Sequence, residues 1–218
     1  MAQLDFAERQ LTLKLVYFGP PLSGKTSNLR ALHQRVDHLN RGRLMTLDTR
    51  DDRTLFFDLL PIFFRTTSFS FRIKVYTVPG QPVHEATRKV VLAGADGVVF
   101  VADSGPDKPS ANREAWQNLV ASLHAHSLDR VPIVVQYNKR DLAACAIDGV
   151  DHFDDPSRRL FPAEAKAGKG VVPTFFALVT EAWNYLDKDL GLAAKLGLDS
   201  QTFRASLAEH VVAGDAVE

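Results

Sequence analysis

Cysteine is almost missing from this chain: Cys145 stands alone among 218 residues. One thiol excludes an internal disulfide and any zinc site built from several cysteines, and a reducing compartment suits such a chain best. A surplus of either charge is missing too, since Lys and Arg total 26, Asp and Glu total 26, and the net charge is zero. Generic binding to nucleic acid or acidic membrane needs a basic surplus, so that class is excluded. Long apolar runs are also absent. The most apolar stretch, Val90 to Ala102, is broken by Asp96 and is too short to cross a bilayer. Met1 to Arg9 hold no apolar signal core, Ala2 is not the glycine that myristoylation requires, and Gly214 to Glu218 offer no cysteine for prenylation. A soluble cytoplasmic protein with no transmembrane segment and no nucleic-acid partner is therefore expected. What is present is ordinary globular material, 45% hydrophobic and 24% charged. At about 150 residues per domain, the length points to one large domain.

The order of elements can be read from periodicity. Leu11 to Phe18 reads as a strand ending at Gly19, followed by a helix from Thr26 to Asp37 with Leu29, Leu32 and Val36 on one face. Leu44 to Leu47 is a short strand, and Asp48 to Pro61 runs from a polar stretch into an apolar one. Phe69 to Val78 alternates, with Phe69, Phe71, Ile73 and Val75 on one face and Ser70, Arg72, Lys74 and Tyr76 on the other. That pattern predicts a half-exposed strand near a sheet edge. Val98 to Val101 and Ile133 to Val135 are continuous apolar runs, as for parallel strands covered on both faces. Helical stripes lie between and after them: Trp116, Leu119, Val120 and Leu123, then Phe175, Leu178, Val179, Trp183 and Leu186. Strands alternating with such helices predict an α/β fold, a single doubly wound and mostly parallel sheet with one antiparallel edge strand. Residues 191–218 read as a C-terminal extension after a domain over 1–190, one amphipathic helix (Phe203, Leu207, Val211) running into a disordered acidic end.

Two motifs carry chemistry. Gly19-Pro20-Pro21-Leu22-Ser23-Gly24-Lys25-Thr26 fits G-x-x-x-x-G-K-[ST] between a strand and a helix start. The glycines let backbone N–H groups and the helix dipole face phosphate. Lys25 would reach the β- and γ-phosphates, and the Thr26 hydroxyl would bind Mg²⁺. Asn138-Lys139-Arg140-Asp141 follows a buried strand, at the carboxyl end where open α/β sheets bind ligands. The Asp141 carboxylate can accept from N1–H and the 2-amino group of guanine, a donor pair adenine lacks.

With these residues the chain resembles the Ras-like small GTPases, and within them the MglA family of bacterial gliding-motility and polarity switches. Asp52-Arg53-Thr54-Leu55-Phe56-Phe57-Asp58, Tyr76-Thr77-Val78-Pro79-Gly80-Gln81, Gly97 to Ser104 and Gln136 to Leu142 carry the closer match. The resemblance covers residues 10–190 and implies a GTP/GDP switch with Mg²⁺. It places Gln81 as the water-orienting glutamine, Gly80 N–H on the γ-phosphate, and Thr54 on Mg²⁺ as the switch threonine. Arg53 takes the place of an arginine finger supplied in cis. Glu164-Ala165-Lys166 resembles the base-contacting S-A-K loop, so Ala165 and Lys166 join Asn138, Lys139 and Asp141 at guanine. Partners implied are an MglB-type Roadblock/LC7 homodimer as GTPase-activating protein and effectors of polarity or motility that bind the GTP form. The chain itself would be a monomer, recruited to a cell pole by partners.

Two departures bear on catalysis. Thr77 stands where most Ras-like proteins carry the aspartate that supports Mg²⁺ through water, as it does in MglA-type chains, which leaves Asp58 or Asp52 to supply a carboxylate. Pro21 stands where glycine is usual, which fixes φ, removes one N–H and crowds the γ-phosphate. GTP hydrolysis is thus expected to be slow without an activating partner. The alternative is a GTP-binding scaffold with little or no hydrolysis of its own. A phosphotransferase would need an acceptor site and a lid that the sequence does not offer. Phe56, Phe57, Leu59 and Leu60 are read either as core beneath the switch or as a partner surface. His84 and Cys145 are read as unexceptional.

Overall fold

Alternate residues of the central strand point into two separate cores, and this organises the molecule. The structure, a computed structural model, describes residues 2–47, 57–80, 85–142 and 160–211. Strand β1 (Gln3–Asp5) runs antiparallel to β2 (Gln10–Phe18), which leads through the phosphate loop into helix α1 (Lys25–Arg35). The outer strands β3 (Met45–Leu47), β4 (Phe57–Arg65) and β5 (Ser70–Thr77) precede α2 (Glu85–Leu92), β6 (Gly97–Asp103) and α3 (Pro109–Ala125). Then come β7 (Ile133–Asn138), β8 (Leu160–Pro162), α4 (Val171–Leu190), α5 (Leu192–Leu196) and α6 (Ser200–Val211). The strands form one sheet in the order β3-β4-β5-β2-β6-β7-β8, with β1 beside the start of β2. β2 runs parallel to β5 and β6, and β7 continues the parallel set to β8. β4 is antiparallel to both its neighbours and lies one strand in from the edge.

Leu13, Leu15 and Tyr17 of β2 join a core with α1, α4 and α6, whereas Val16 and Phe18 join a second core with α2 and α3. A doubly wound sheet buried on both faces requires this division. The helical stripes are buried, Trp116 and Trp183 included, except that Val120 is 46% exposed. Among the described residues no helix is long and apolar enough to cross a membrane.

Three expectations change. β5 is an interior strand, hydrogen-bonded to β2 on one side and β4 on the other. Its alternation reports the covering of one sheet face, since Phe71, Ile73 and Val75 are buried while Ser70, Arg72 and Lys74 are half-exposed. β4 was hidden because its alternation mixes types: Asp58, Leu60, Ile62 and Phe64 point inward, while Phe57, Leu59, Pro61 and Phe63 are half-buried. Leu60 is therefore core, whereas Phe56 lies outside the described residues. The segment after residue 190 forms two helices, and Phe203, Leu207 and Val211 are fully buried in the main core. Phe203 stacks on Trp183 with ring centroids 4.1 Å apart and also meets Phe64 and Phe71. The end of α6 is bonded to the connection after α1: Asp37 N–H donates to Val211 C=O at 3.1 Å, and Asn40 Nδ2 donates to His210 C=O.

Candidate functional site

The phosphate loop is shaped by contacts that only glycine permits at two positions. Gly19 has φ 151°, and a Cβ there would come within 2.3 Å of the Val101 carbonyl oxygen. Gly24 has φ 99°, and a Cβ would sit 2.1 Å from Asn138 Nδ2. Gly24 caps α1 without a side chain, so the free N–H groups of the first turn are available to an anion. Leu22 adopts φ 61° at the loop apex and is 87% exposed.

Beside the loop lies a cavity of about 490 Å³ lined by Gly24, Lys25, Thr26, Asp58, Thr77 and Gly80, among others. Lys25 is 7% exposed, and its Nζ donates to the Gly19 and Pro20 carbonyls at 2.9 and 2.7 Å. Burial, with the Arg88 charge nearby, pulls its pKa down to about 7. A phosphate in the cavity would offer this ammonium an anionic partner in place of two neutral carbonyls.

Next to Thr77 a carboxylate reaches in from the neighbouring strand. Asp58, 5% exposed, accepts hydrogen bonds from Thr26 Oγ1 at 2.7 Å, Thr77 Oγ1 at 3.0 Å and Thr46 Oγ1 at 2.8 Å. Its own N–H donates to Thr77 Oγ1 at 3.0 Å. A buried carboxylate held by three hydroxyls, touching the threonine expected to ligate Mg²⁺, offers the hard oxygen surroundings that this cation takes. Gly80 lies flat on the loop, where a Cβ would meet Pro21 N at 2.5 Å.

The base side is joined directly to the phosphate side. Asn138 Nδ2 donates to the Ser23 carbonyl at 2.8 Å, and Ala165 N–H donates to Asn138 Oδ1 at 2.8 Å. Lys139 has φ 68°, and its Nζ donates to Asp103 Oδ2 at 2.6 Å. Asp103 is paired in register with Asn138 across β6 and β7. Asp141 and Lys166 are exposed next to these buried partners. Arg35, in the last turn of α1, donates to the Ala167 carbonyl at 3.2 Å and supports the 164–168 loop from below.

The structure thus places Leu22, Gly24, Lys25, Thr26 and Gly80 on one cavity and joins Ser23 to Ala165 through Asn138, with Lys139, Asp141 and Lys166 in the adjoining loops. Gln81, Arg53 and Thr54, with Asp52, His84 and Cys145, lie outside the described residues. Asp103 and Thr46 were not anticipated. The signal for Asp103 was a carboxylate closing an otherwise apolar strand; for Thr46 the sequence held none.

A phosphate loop after β2 and an Asn-Lys-x-Asp motif at the end of β7, separated by β6 in one mostly parallel sheet covered by helices on both faces, define the Ras-like small GTPase class. The chain is 40% identical over 186 residues to "Mutual gliding-motility protein MglA" from Myxococcus xanthus (strain DK1622), a match spanning 82% of this chain and 94% of that protein. It belongs to the MglA family of small GTPases. No family model matches the chain.

Proposed function

We propose that this protein is a GTP/GDP switch of bacterial cell polarity and gliding motility, working in the cytoplasm and hydrolysing GTP slowly on its own. The observation that carries the reading is the Asn138 side chain, which bonds the phosphate loop through Ser23 and the base loop through Ala165. One residue thereby sets the separation of a phosphate site and a guanine site.

In this reading Lys25 leaves the Gly19 and Pro20 carbonyls for the β- and γ-phosphates, and the first N–H groups of α1 bind the same anions. Asp141 reads the guanine edge, with Ala165 and Lys166 beside it. Thr26 and Thr54 would hold Mg²⁺, with Asp58 supporting Thr26 from behind, and the cation would supply neutralisation of the phosphate charge. Gln81 orients the attacking water, and Arg53 stabilises the charge that develops on the phosphates. Pro21 lies against Gly80 and lacks an N–H for the nucleotide, and this makes unassisted hydrolysis slow. An MglB-type Roadblock/LC7 homodimer would accelerate it, and effectors would bind the GTP form.

The test loads the purified protein with one equivalent of GTP and Mg²⁺ and follows GDP formation by chromatography, with and without such a homodimer. GDP should form in the wild type and form more slowly in Gln81→Leu and Arg53→Ala. Persistent GTP under every condition would instead establish a binding-only scaffold.

A further inference from the structure

Beneath the nucleotide cleft runs a second polar bridge that none of the motifs contains. Asn28 and Gln136 are 108 residues apart in sequence and face each other with both side chains fully buried. Asn28 Nδ2 donates to Gln136 Oε1 at 2.8 Å, and Gln136 Nε2 donates back to Asn28 Oδ1 at 2.9 Å. The remaining donors are also used. Asn28 Nδ2 donates to the Gly24 carbonyl at 3.0 Å, and Gln136 Nε2 donates to Thr174 Oγ1 at 3.0 Å. Thr174, buried as well, donates from Oγ1 to the Gly170 carbonyl at 2.6 Å. An unbroken chain therefore leads from Gly24 of the phosphate loop, through the strand that ends in the base motif, to Gly170 at the close of the base loop.

The surroundings give this chain its meaning. Leu29, Val134, Val171 and Phe175 are buried in the same core, where an apolar pair would fill the space without desolvating two carboxamides. Leucines, however, have no directional bonds and would let α1 slide or rotate against β7. Four amide donors with fixed partners do not allow that. The tolerance is small, because the Gly24 backbone is packed so closely on Asn138 that a Cβ would overlap its Nδ2. A shift of α1 by a few tenths of an ångström would misplace the loop N–H groups relative to the base motif.

We propose that Gln136, acting through Asn28 and Thr174, is a positioning residue that holds the phosphate loop and the guanine loop at one separation, and so sets the rate at which guanine nucleotide leaves. It touches no ligand itself. The proposal rests on the guanine-nucleotide reading above.

The test measures release of N-methylanthraniloyl-GDP in a stopped flow beside the thermal midpoint of each variant. Gln136→Leu strands the Asn28 carboxamide, so the midpoint falls and release quickens by roughly tenfold or more, the effect of losing about one net buried hydrogen bond. In the double variant Asn28→Leu/Gln136→Leu no buried amide is stranded, so the midpoint recovers while release stays fast. Thr174→Val, nearly isosteric, keeps the fold and quickens release by about threefold, since only the end of the chain is lost. Release that recovers with the midpoint in the double variant, or that equals the wild type in Thr174→Val, would overturn the proposal. Failure of the wild type to bind the fluorescent GDP would instead overturn the nucleotide reading, and the proposal with it.

Discussion

The two halves of the sheet solve different problems. In the central half β2, β6 and β7 are parallel and covered by helices on both faces, and buried amides tie them to the loops above. In the outer half β3, β4 and β5 form an antiparallel arrangement whose half-exposed face carries Arg72, Lys74 and Phe63. The central half holds the segments proposed to bind nucleotide, each a local motif: a loop, a helix start, a tetrapeptide. The outer half holds Asp58, whose place beside Thr26 depends on strand pairing and on what packs behind it. The proposed recognition elements are thus short segments, whereas the Asp58 cluster is assembled across strands. The second arrangement is easier to disturb from a distance.

The largest disturbance should come from α6. Phe203 is fully buried among Trp183, Phe71 and Phe64, so it braces β4 and β5 from the inner face. Phe203→Ala should destabilise the protein by about 3–5 kcal/mol, as expected for a deleted core aromatic. Urea unfolding monitored by Trp183 fluorescence would measure it, and hydrogen exchange should show β4 and β5 losing protection ahead of β6 and β7. Equal loss in both halves would erase the contrast.

Next comes Asp58. Asp58→Ala should weaken Mg²⁺ binding to the GDP complex by roughly 10–100-fold, the usual range for groups that orient a metal site from behind its ligands. GDP affinity measured in EDTA should change far less. Adding Thr77→Asp, which returns the carboxylate to the position most Ras-like chains use, should restore much of the Mg²⁺ affinity. Unchanged Mg²⁺ affinity in Asp58→Ala would move the carboxylate role elsewhere.

The smallest effect sharpens the central half. Lys25 is held near pKa 7 in the folded chain against an ordinary 10.5, because burial penalises its charge. Between those values the unfolded chain carries a proton that the folded, nucleotide-free chain has released. Stability should therefore rise with pH through that window, and the destabilisation should be complete below about 7. A bound phosphate favours the ammonium, so nucleotide binding at pH 8 to 9 should take up protons, at most one per site. Calorimetry in buffers of different ionisation enthalpy measures that uptake, and Lys25→Met should abolish it.

How far the sequence carries a reader follows the same division. The strands covered on both faces were legible as continuous apolar runs, and the phosphate loop and base tetrapeptide as contiguous strings. β4 was not legible, because Asp58 occupies an inward position and Leu59, Pro61 and Phe63 occupy outward ones. The interior place of β5 was not legible either, since one-sided alternation says which face is covered and nothing about which strand lies alongside. The helix in the C-terminal segment was visible in the spacing of Phe203, Leu207 and Val211, but its burial in the main core was not.

By itself, then, the sequence determined the two nucleotide motifs, the main parallel strands with the helices between them, and the family, because each rests on residues close together in the chain. Only the tertiary structure decided that Asp58 meets both Thr26 and Thr77, that Asn28 meets Gln136, and that α6 braces the outer strands. Those facts depend on strand register and helix packing, which are collective properties of distant segments. They arise from how two cores fill on either side of one sheet, and no local pattern records that.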